Sequence, residues 1–355
     1  MIFENYDKTR FEHILIFQGG ETIVREVREL GIKVFVSKSL KKKVSLKAFV
    51  DIYRILKVND VNIIHAHLIK PYSIAGLVNI LLRKKFIFNY HGIFLKKNPY
   101  YSVIKKTIYS FIHKLIYVFN KVDVVLVPSK NSKLLLIDET RLFPEPIVYY
   151  NGYLKNSFTN ESNDGLINKV RSLKGKKIII AFIGRLEIDK RVDRAINLMK
   201  KLITHEKNLY LLIFGEGSQM ENLKYLAAKL DLKSYIDFLG YVKGVGKYYE
   251  FFDVVLFTSD WEGMPFTMWE AMANAIPVVA PDVGGFKEIM EENNCGLVYE
   301  PLNIKDAEEK LLKLIKNTEL RKTLGENGKK AIETKYTERN FIYQIEQVYL
   351  DMLVR

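Results

Sequence analysis

The sequence predicts an α/β protein built on parallel sheets. Short apolar runs rich in β-branched residues alternate with longer amphipathic stretches along most of the 355 residues. Such alternation is typical of parallel strands joined by crossover helices. The length suits two domains of ordinary size, each able to bury its own core.

The apolar runs and amphipathic stretches give a provisional element map. In the first half, strands are expected at 12–17, 33–36, 62–65, 86–90, 122–127 and 147–150, and helices near 21–30, 45–57, 71–84, 100–120 and 130–137. The polar stretch 156–174 is interpreted as the crossing between the domains. Strands then follow at 177–183, 210–214, 236–238, 254–257 and 278–280, with helices near 193–205, 218–230, 247–252, 266–274 and 305–316. The tail from residue 319 has a helical pattern.

Composition is that of a soluble globular protein, with 48% apolar and 27% charged residues. Cys295 is the single cysteine, which excludes an internal disulfide and favours a reducing compartment. Residues 1–10 are polar and lack the pattern of a signal peptide. The longest strongly apolar stretch, 72–82, is far shorter than the roughly 20 residues of a membrane span. We therefore expect a cytoplasmic protein.

Positive charge is concentrated in the first half. Residues 1–150 contain 25 Lys and Arg against 12 Asp and Glu, whereas residues 151–355 contain 30 against 29. This asymmetry favours an anionic membrane surface as a partner over nucleic acid, for which the sequence shows no recognition motif. A Lys-rich coding bias is the alternative. The basic, aromatic stretch 99–120 is the best candidate for membrane contact, although a core helix would give the same pattern.

Gly184 and two cations after it form the first candidate ligand site. Gly184 ends the strand 177–183, and Arg185 and Lys190 follow it. Open α/β sheets bind ligands at the carboxyl ends of their strands. Two fixed positive charges at that place can hold a diphosphate. A surface loop with ordinary solvated charges is the alternative.

The stretch 261–273 forms the second candidate site. It follows the apolar run 252–257, and Pro265 lies near the first turn of the expected helix. A strand, a short turn and a helix N-terminus direct free N–H groups and a partial positive charge toward an anion. With Glu262 in the turn and Glu270 in the helix, the stretch predicts a site for a sugar attached to a diphosphate.

Two further glycine turns follow strands of the same predicted sheet. Gly215 and Gly217 would let the chain pass close to a nucleotide, although a lone Gly-x-Gly is a weak signal and too short for the dinucleotide fingerprint. The turn 281–288, with its glycine pair, can approach a diphosphate through backbone N–H groups. A plain loop is the alternative in both cases.

Glu262 and Glu270 lack the spacing of a hydrolytic pair. On one helix they would lie about 12 Å apart along its axis, whereas the carboxylates of glycosidases lie about 5–9.5 Å apart. They suit two parts of one long ligand, such as a sugar hydroxyl and a ribose hydroxyl. A helix cap or an intrahelical pair is the alternative for Glu270.

Taken in order, these motifs resemble those of the family-4 retaining glycosyltransferases of GT-B fold. The shared patterns are Gly-Arg-Leu-x-x-x-Lys, Gly-x-Gly, Glu-Gly-x-Pro with Glu-Ala-Met-Ala, Pro-Val-Val-Ala and Gly-Gly-x-x-Glu, and the match runs from about residue 32 to the C-terminus. It implies two Rossmann-like domains facing across a cleft: 1–157 for the acceptor and 158–334 for the nucleotide-sugar, with 335–355 crossing back to the first. Ala275 departs from the family, which often has glycine there, and its methyl group is expected to cost little.

The resemblance also implies residue roles. Arg185 and Lys190 would hold the donor diphosphate, Glu262 the hydroxyls of the donor sugar and Glu270 the ribose. His91 resembles the family's histidine near the reacting sugar. The expected catalytic residues are His91, Arg185, Lys190 and Glu262, and the expected donor-binding residues are Gly184, Arg185, Lys190, Gly215, Gly217, Glu262, Gly263, Met264, Pro265, Phe266 and Glu270.

Other histidines carry a weaker signal. His65 ends the strand candidate 62–65 and His67 follows it, and both are more simply explained as polar residues at a strand end. A functional role is the less favoured alternative.

The implied reaction moves a sugar, with retention, from a nucleotide-diphosphate sugar to a glycan or lipid-linked acceptor in synthesis of a cell-surface polysaccharide such as capsule or lipopolysaccharide. The resemblance implies that the leaving diphosphate helps deprotonate the acceptor hydroxyl, and that Arg185 and Lys190 take the place of a metal ion, with no cofactor. The lack of a plausible covalent nucleophile and of an Asp-x-Asp turn in the sequence agrees with this expectation. The protein is expected on the inner face of the membrane. A hydrolysing or non-catalytic nucleotide-sugar binder on the same fold is the alternative.

The resemblance is incomplete at the N-terminus. Gly19, Gly20 and Glu21 resemble the family's first acceptor loop, yet 11–17 and 26–36 look more like its second and third strands. On this interpretation the first strand-helix unit is missing, through a truncated or misassigned start. Because that strand is central in the doubly wound order, the sheet would have to close a gap or leave ladder groups unpaired.

Overall fold

The computed structural model describes residues 5–41, 46–91, 102–119, 122–140, 142–153 and 164–354. The chain divides into two compact units. The N-terminal unit comprises Met1–Tyr150 and Glu338–Arg355, and the C-terminal unit comprises Asn151–Thr337. The chain therefore enters the C-terminal unit after residue 150 and leaves it after residue 337. The sequence places these two boundaries at residues 157 and 334.

The N-terminal unit has parallel strands in two separate sheets. Its strands are β1 (Ile14–Phe17), β2 (Lys33–Val36), β3 (Ile63–His67), β4 (Lys85–Asn89), β5 (Val124–Val127) and β6 (Ile147–Val148). β1 pairs with β2 alone, and the other four form a sheet in the order β3-β4-β5-β6. Within the ranges given above, no ladder joins the two sheets.

The helices of this unit cover both faces of the four-stranded sheet. They are α1 (Glu21–Glu29), α2 (Leu46–Val58), α3 (Ile69–Leu82), α4 (Val103–Phe119), α5 (Lys130–Glu139) and the C-terminal helix (Glu338–Val354). Alternate residues of β4 point to opposite faces. Phe86 packs in one core with Tyr72 of α3, whereas Ile87 packs in another with Ile345 of the C-terminal helix.

The C-terminal unit contains one parallel sheet of six strands. They are β7 (Ile178–Ile183), β8 (Leu209–Phe214), β9 (Ile236–Gly240), β10 (Val254–Leu256), β11 (Val278–Pro281) and β12 (Gly296–Tyr299), in the order β12-β11-β10-β7-β8-β9. This is the doubly wound Rossmann order, in which the direction of winding reverses between β7 and β10. Ligands of such sheets bind outside the carboxyl ends of the strands at this reversal.

Helices surround this sheet. They are α6 (Asp164–Leu173), α7 (Val192–Leu202), α8 (Met220–Lys229), α9 (Phe266–Ala273), α10 (Phe286–Asn293), α11 (Ile304–Lys316) and α12 (Thr318–Thr334), with short 3₁₀ helices at Ile188–Lys190 and Val245–Phe251. The core on one face is aliphatic and joins the sheet to α7 and α11, with side chains such as Leu198, Leu211 and Leu311 fully buried.

Several elements of the described ranges differ from the sequence expectations. Helix α6 lies inside the stretch interpreted as a polar crossing. The helix is held there by a few apolar side chains, of which Val170 is buried. Helix α10 and the short edge strand β12 were not expected. The segment expected as a helix at 247–252 is a 3₁₀ helix. In the described ranges, no helix combines the length and the apolarity needed to cross a bilayer.

Candidate functional site

The candidate site lies where the Rossmann sheet reverses its winding. The loop after β7 carries Arg185 and Lys190, and the loop after β10 carries Glu262. β7 and β10 are hydrogen-bonded neighbours, with Val254 opposite Ile180. Their carboxyl ends therefore bring the two loops together, although the cations and the carboxylate are about 75 residues apart in sequence.

Lys190 and Glu262 form a tight, largely buried ion pair. Lys190 Nζ lies 2.6 Å from Glu262 Oε1, and the two side chains are 16% and 8% exposed. Ser259 donates a second hydrogen bond of 2.7 Å to the same oxygen. Both donors therefore use Oε1, and Oε2 is the oxygen that can accept from a ligand. The ammonium has three N–H groups, so Lys190 can keep this bond and donate to an anion as well.

Arg185 occupies a different environment. Its side chain is 69% exposed, and its Nη2 lies 4.0 Å from Oδ2 of the buried Asp189. At this distance the pair is a weak attraction rather than a hydrogen bond. An exposed guanidinium held so loosely can turn toward a ligand at little cost.

Glycines allow four loops at this edge to interlock. A Cβ on Gly215 would lie 1.9 Å from the carbonyl oxygen of Gly184, and one on Gly284 would lie 2.4 Å from that of Glu262. Gly284 also has a φ of +58°, which favours glycine. The backbone N–H of Gly285 donates to the carbonyl of Gly263. The glycine turns therefore pack against the loops that carry the cations and the glutamate.

Helix α9 begins directly after the loop that carries Glu262, so its N-terminus is part of this loop cluster. Pro265 is the N-cap, and no side chain caps the helix. The first N–H groups of a helix have no intrahelical partner and carry partial positive charge. Asn151 donates to the carbonyl of Met264 at 3.4 Å, and Phe266 is 49% exposed at the first helical position.

Glu270 lies one turn further along α9 and has a partner that the sequence did not reveal. The hydroxyl of Tyr249, on the 3₁₀ helix Val245–Phe251, donates to Glu270 Oε2 at 2.7 Å. Burial raises the pKa of Glu270, and the Tyr249 hydrogen bond lowers it. Glu270 is thus held by a tertiary contact, and it does not cap α9, whose N-cap is Pro265 and whose C-cap is Asn274.

A partly buried charge network, centred on the buried Arg194, fixes the loop between β10 and α9. Arg194 of α7 donates to Asp260 Oδ1 at 2.6 Å and to the carbonyl of Thr258 at 3.1 Å. Arg191 bridges Asp193 and Asp260. Thr258 donates in turn to the carbonyl of Lys190. These bonds fix Lys190 relative to the turn of Glu262.

Histidines line the carboxyl ends of β3 and β4 in the N-terminal unit. His67 Nδ1 and His91 Nε2 are 3.0 Å apart, and the ring of His65 stacks on His67 at 4.4 Å. Nδ1 of His65 is 2.8 Å from the hydroxyl of Tyr349 on the C-terminal helix. Burial lowers the pKa of His91 and of His65, and burial together with the charge of His91 lowers the pKa of His67 to about 4. His91 is therefore part of a cluster that includes the two histidines given a weaker signal by the sequence.

Sequence reasoning missed Ser259, Tyr249 and the Arg194–Asp260 pair. Ser259 could have been found, since it is polar, follows a strand and stands three residues before Glu262. Tyr249 gave no signal, because a tyrosine beside other aromatic residues is typical of a core position and its partner is 21 residues away. In the described part of the chain, no group of three or more His, Cys, Asp or Glu side chains is arranged to hold a metal ion.

Comparison with known families assigns both units. Residues 5–153 match the family described as Glycosyltransferase Family 4, and residues 165–331 match Glycosyl transferases group 1. The chain belongs to the family-4 glycosyltransferases. The fold of this glycosyltransferase is accordingly GT-B, with two Rossmann-like domains, as its sequence predicted.

Relatives and solved structures agree with this membership. An uncharacterised glycosyltransferase of Methanocaldococcus jannaschii is 29% identical over 327 residues, which are 88% of this chain and 83% of that protein. A UDP-Gal:alpha-D-GlcNAc-diphosphoundecaprenol alpha-1,3-galactosyltransferase of Escherichia coli is 24% identical over 91% of this chain and 85% of its own. The structure of Anabaena HepE in complex with UDP-glucose superposes with a TM-score of 0.78 at 16% identity, covering 95% of this chain and 91% of that one. The last likeness shows the fold alone.

Proposed function

We propose that this glycosyltransferase retains configuration and needs no metal ion or cofactor, and that it transfers a sugar from a nucleotide-diphosphate sugar to a glycan or lipid-linked acceptor. The observation that carries the proposal is the Lys190–Glu262–Ser259 cluster beside the uncapped start of α9. It joins a cation, free N–H groups and an open carboxylate oxygen within one loop cluster. A phosphate and a sugar hydroxyl need those groups.

The donor diphosphate is assigned to the cationic side. Lys190 and the N–H groups of Gly263 and Phe266 would bind phosphate oxygens, and Arg185 would turn from Asp189 toward them. As the bond to the sugar breaks, negative charge grows on the diphosphate, and fixed donors stabilise it without reorganisation. The leaving diphosphate then takes the proton of the acceptor hydroxyl.

The donor sugar and ribose are assigned to the two glutamates. Glu262 would accept from sugar hydroxyls through Oε2, and Glu270 would accept from the ribose. His91 would donate to a hydroxyl of the reacting sugar or to the leaving phosphate. Two relatives support such a reaction: HepE was crystallised with UDP-glucose, and the name of the E. coli enzyme gives UDP-galactose as donor and a lipid-linked acceptor. The proposal includes a role in synthesis of a cell-surface polysaccharide such as capsule or lipopolysaccharide.

The donor is tested by thermal shift with UDP-, GDP- and ADP-sugars, because a ligand that binds only the folded state stabilises it by mass action. Product analysis with candidate acceptors then separates three outcomes. A new glycosidic bond supports transfer, free sugar alone means hydrolysis, and tight binding without turnover means a non-catalytic binder. Either of the last two overturns the proposal.

Retention and metal independence need separate measurements. The anomeric configuration of the product, read from NMR coupling constants, should equal that of the donor. Turnover should be unchanged after treatment with EDTA. An inverted product, or activity that is lost with EDTA and restored by Mg²⁺ or Mn²⁺, would contradict these parts of the proposal.

Peripheral binding to the inner membrane surface is part of the proposal, and α4 carries it. Its exposed face presents Ile104, Ile108, Phe111 and Val118, which are 74%, 52%, 61% and 68% exposed. The opposite face, with Ile116, is buried in the core. Lys105, Lys106 and Lys114 lie on the same helix, so the apolar stripe is combined with positive charge. Such a surface suits anionic lipid headgroups.

Vesicle sedimentation tests this contact. The protein should sediment with vesicles that contain anionic lipid, and the pair Ile108→Ser and Phe111→Ser should reduce the bound fraction at least fivefold. Leu134→Ser removes an apolar residue from α5 that is 67% exposed and serves as the control. Equal binding to neutral vesicles, or no effect of the paired substitution, would count against the membrane assignment.

A further inference from the structure

Glu270 is held by a side chain from another part of the C-terminal unit. Tyr249 is fully buried on the 3₁₀ helix Val245–Phe251, and its hydroxyl donates to Glu270 Oε2 at 2.7 Å. The backbone at the C-terminus of this 3₁₀ helix is fixed by the N–H of Phe252, which donates to the carbonyl of Tyr249. Tyr249 is therefore a rigid donor, with its ring immobilised by packing.

The arrangement gives the two carboxylate oxygens different tasks. Glu270 has three rotatable side-chain bonds, and an untethered glutamate in a helix would sample several rotamers. The Tyr249 bond takes up Oε2 and selects one rotamer. A donor on one oxygen also favours the ionised carboxylate, which accepts hydrogen bonds and does not donate them.

We propose that Tyr249 is a positioning residue for nucleotide binding: it fixes Glu270 so that Oε1 accepts hydrogen bonds from the two ribose hydroxyls of the donor. The inference rests on the proposed function, since it requires a nucleotide donor. It makes Tyr249, which touches no substrate itself, a determinant of the preference for a ribonucleotide over its deoxy analogue.

The test compares UDP with 2′,3′-dideoxy-UDP by isothermal titration calorimetry, or the corresponding guanine or adenine pair if the donor panel selects that base. Wild-type protein should prefer the ribonucleotide about 30-fold, and Tyr249→Phe should reduce this preference about tenfold, the effect expected of one charge-assisted hydrogen bond. Affinity for the dideoxy compound should stay within about twofold, because that compound makes no use of Glu270.

Two variants supply controls. Tyr248→Phe removes the hydroxyl of the adjacent buried tyrosine, whose ring packs on Phe214, and should leave the preference unchanged. Glu270→Gln should itself lower the preference, and adding Tyr249→Phe should then have no further effect if the two residues act as one unit.

Each outcome decides the inference. An unchanged preference in Tyr249→Phe overturns it and leaves the proposed function intact. A large loss of melting temperature in Tyr249→Phe, with affinity for both compounds lowered equally, assigns the hydroxyl to stability and also overturns it. If wild-type protein binds none of UDP, GDP and ADP, the proposed function fails, and the inference fails with it.

Discussion

The side chains at the carboxyl ends of the strands differ in chemical type between the two units. In the C-terminal unit, β7 and β10 lead into Lys190, Glu262, Arg194 and Asp260, which are charged groups held in pairs. In the N-terminal unit, β3 and β4 lead into His65, His67 and His91, whose pKa values are lowered by burial. One edge therefore carries fixed charge at neutral pH, and the other carries neutral hydrogen-bonding rings.

This difference fits the two kinds of ligand that the proposed function requires. A diphosphate needs cations and N–H donors that do not change with pH, and Arg and Lys provide them. Sugar hydroxyls need groups that both donate and accept, and a neutral imidazole does both. The comparison thus predicts that removing a charged side chain has its largest effects on stability and turnover in the C-terminal unit. It also predicts that the pH dependence of stability arises mainly in the N-terminal unit.

The largest effect on stability is expected for Arg194→Met. Its side chain is 9% exposed and holds Asp260 and the carbonyl of Thr258. Removing it leaves a largely buried carboxylate with a weakened partner, which should cost about 3 kcal/mol. For a unit of this size, the melting temperature should fall by roughly 6–12 °C.

Arg25→Ala is the matched control for that experiment. The Arg25–Glu29 pair lies on α1 at 3.9 Å, with side chains 74% and 69% exposed. Exposed pairs contribute about 0.5 kcal/mol or less, so the melting temperature should hardly move. Equal shifts in the two variants would refute the view that burial gives the C-terminal network its strength.

The largest effect on turnover, without loss of stability, is expected for Arg185→Ala. Arg185 is exposed and makes one weak contact with Asp189. If it stabilises charge on the leaving diphosphate, its removal should cost about 3 kcal/mol of barrier, or roughly 100-fold in kcat. Its melting temperature should stay within about 2 °C of wild type, since surface substitutions have small effects.

Lys176→Ala controls for the loss of one positive charge. Lys176 is exposed and lies just before β7, at the end of the strand opposite Arg185. Because ligands bind at the carboxyl edge, turnover should be unchanged. A similar loss of turnover in Lys176→Ala would show that net charge, and not position, matters.

A moderate effect is expected from acid pH in the N-terminal unit. The pKa values of His65, His67, His91 and His13 are lowered in the folded state, that of His67 to about 4, chiefly by burial. Below about pH 6.5 the unfolded chain therefore binds more protons than the folded chain, and the free energy of unfolding falls as the pH falls toward 4. Above pH 6.5 these histidines should give no pH dependence.

Melting curves between pH 7.5 and 4.5 check this sign. His67→Asn should flatten the dependence, because it removes one titrating ring and the bond to His91. Leu68→Asn, at the adjacent exposed position, does not titrate and should leave the slope as in wild type. Stability that rises as the pH falls from 6.5 would contradict the neutral histidine cluster.

The meeting of the two loops in the C-terminal unit could be predicted from the sequence because each loop is a local motif at a strand end. Gly184, Arg185 and Lys190 follow one strand and Glu262 to Phe266 follow another, and the topology of a parallel sheet brings such strand ends to one edge. The neighbouring positions of strands β7 and β10 explain why the two loops meet, whereas the Lys190–Glu262 ion pair of 2.6 Å is visible only in the structure.

Contacts between distant apolar or weakly polar positions could not be predicted in this way. From the sequence, Tyr249 is expected to be a core residue, and none of the residues next to it in the chain indicates a contact with Glu270. The His67–His91 bond depends on the register of β3 and β4, which places His67 opposite Asn89, two residues before His91. A single sequence gives strand positions within a few residues, so it does not fix a side-chain pair.

The smallest predicted effect concerns the turn after α9, where the structure revises an expectation. Ala275 has a φ of +56°, and its N–H donates to the carbonyl of Met272, while that of Ile276 donates to the carbonyl of Ala271. This is the Schellman motif, with alanine at the position that glycine usually takes. The methyl group was expected to cost little, but a left-handed alanine costs about 1 kcal/mol or more.

Ala275→Gly should therefore stabilise the protein. The relief of about 1–2 kcal/mol is partly offset by the greater freedom of glycine in the unfolded chain, leaving a gain of about 0.5 kcal/mol. The backbone of α12 packs so closely on the carbonyl oxygen of Ala275 that a Cβ on Gly325 would lie 1.9 Å from it. The turn therefore has no room to shift and relieve the strain at Ala275. Ala273→Gly, two residues earlier and still helical, should destabilise by about 1 kcal/mol and is the control. Both changes in the free energy of unfolding can be measured by chemical denaturation. Opposite signs would establish that backbone conformation, and not the loss of a methyl contact, decides the effect. A loss of stability in both variants would instead show that the alanine side chain packs favourably against α12.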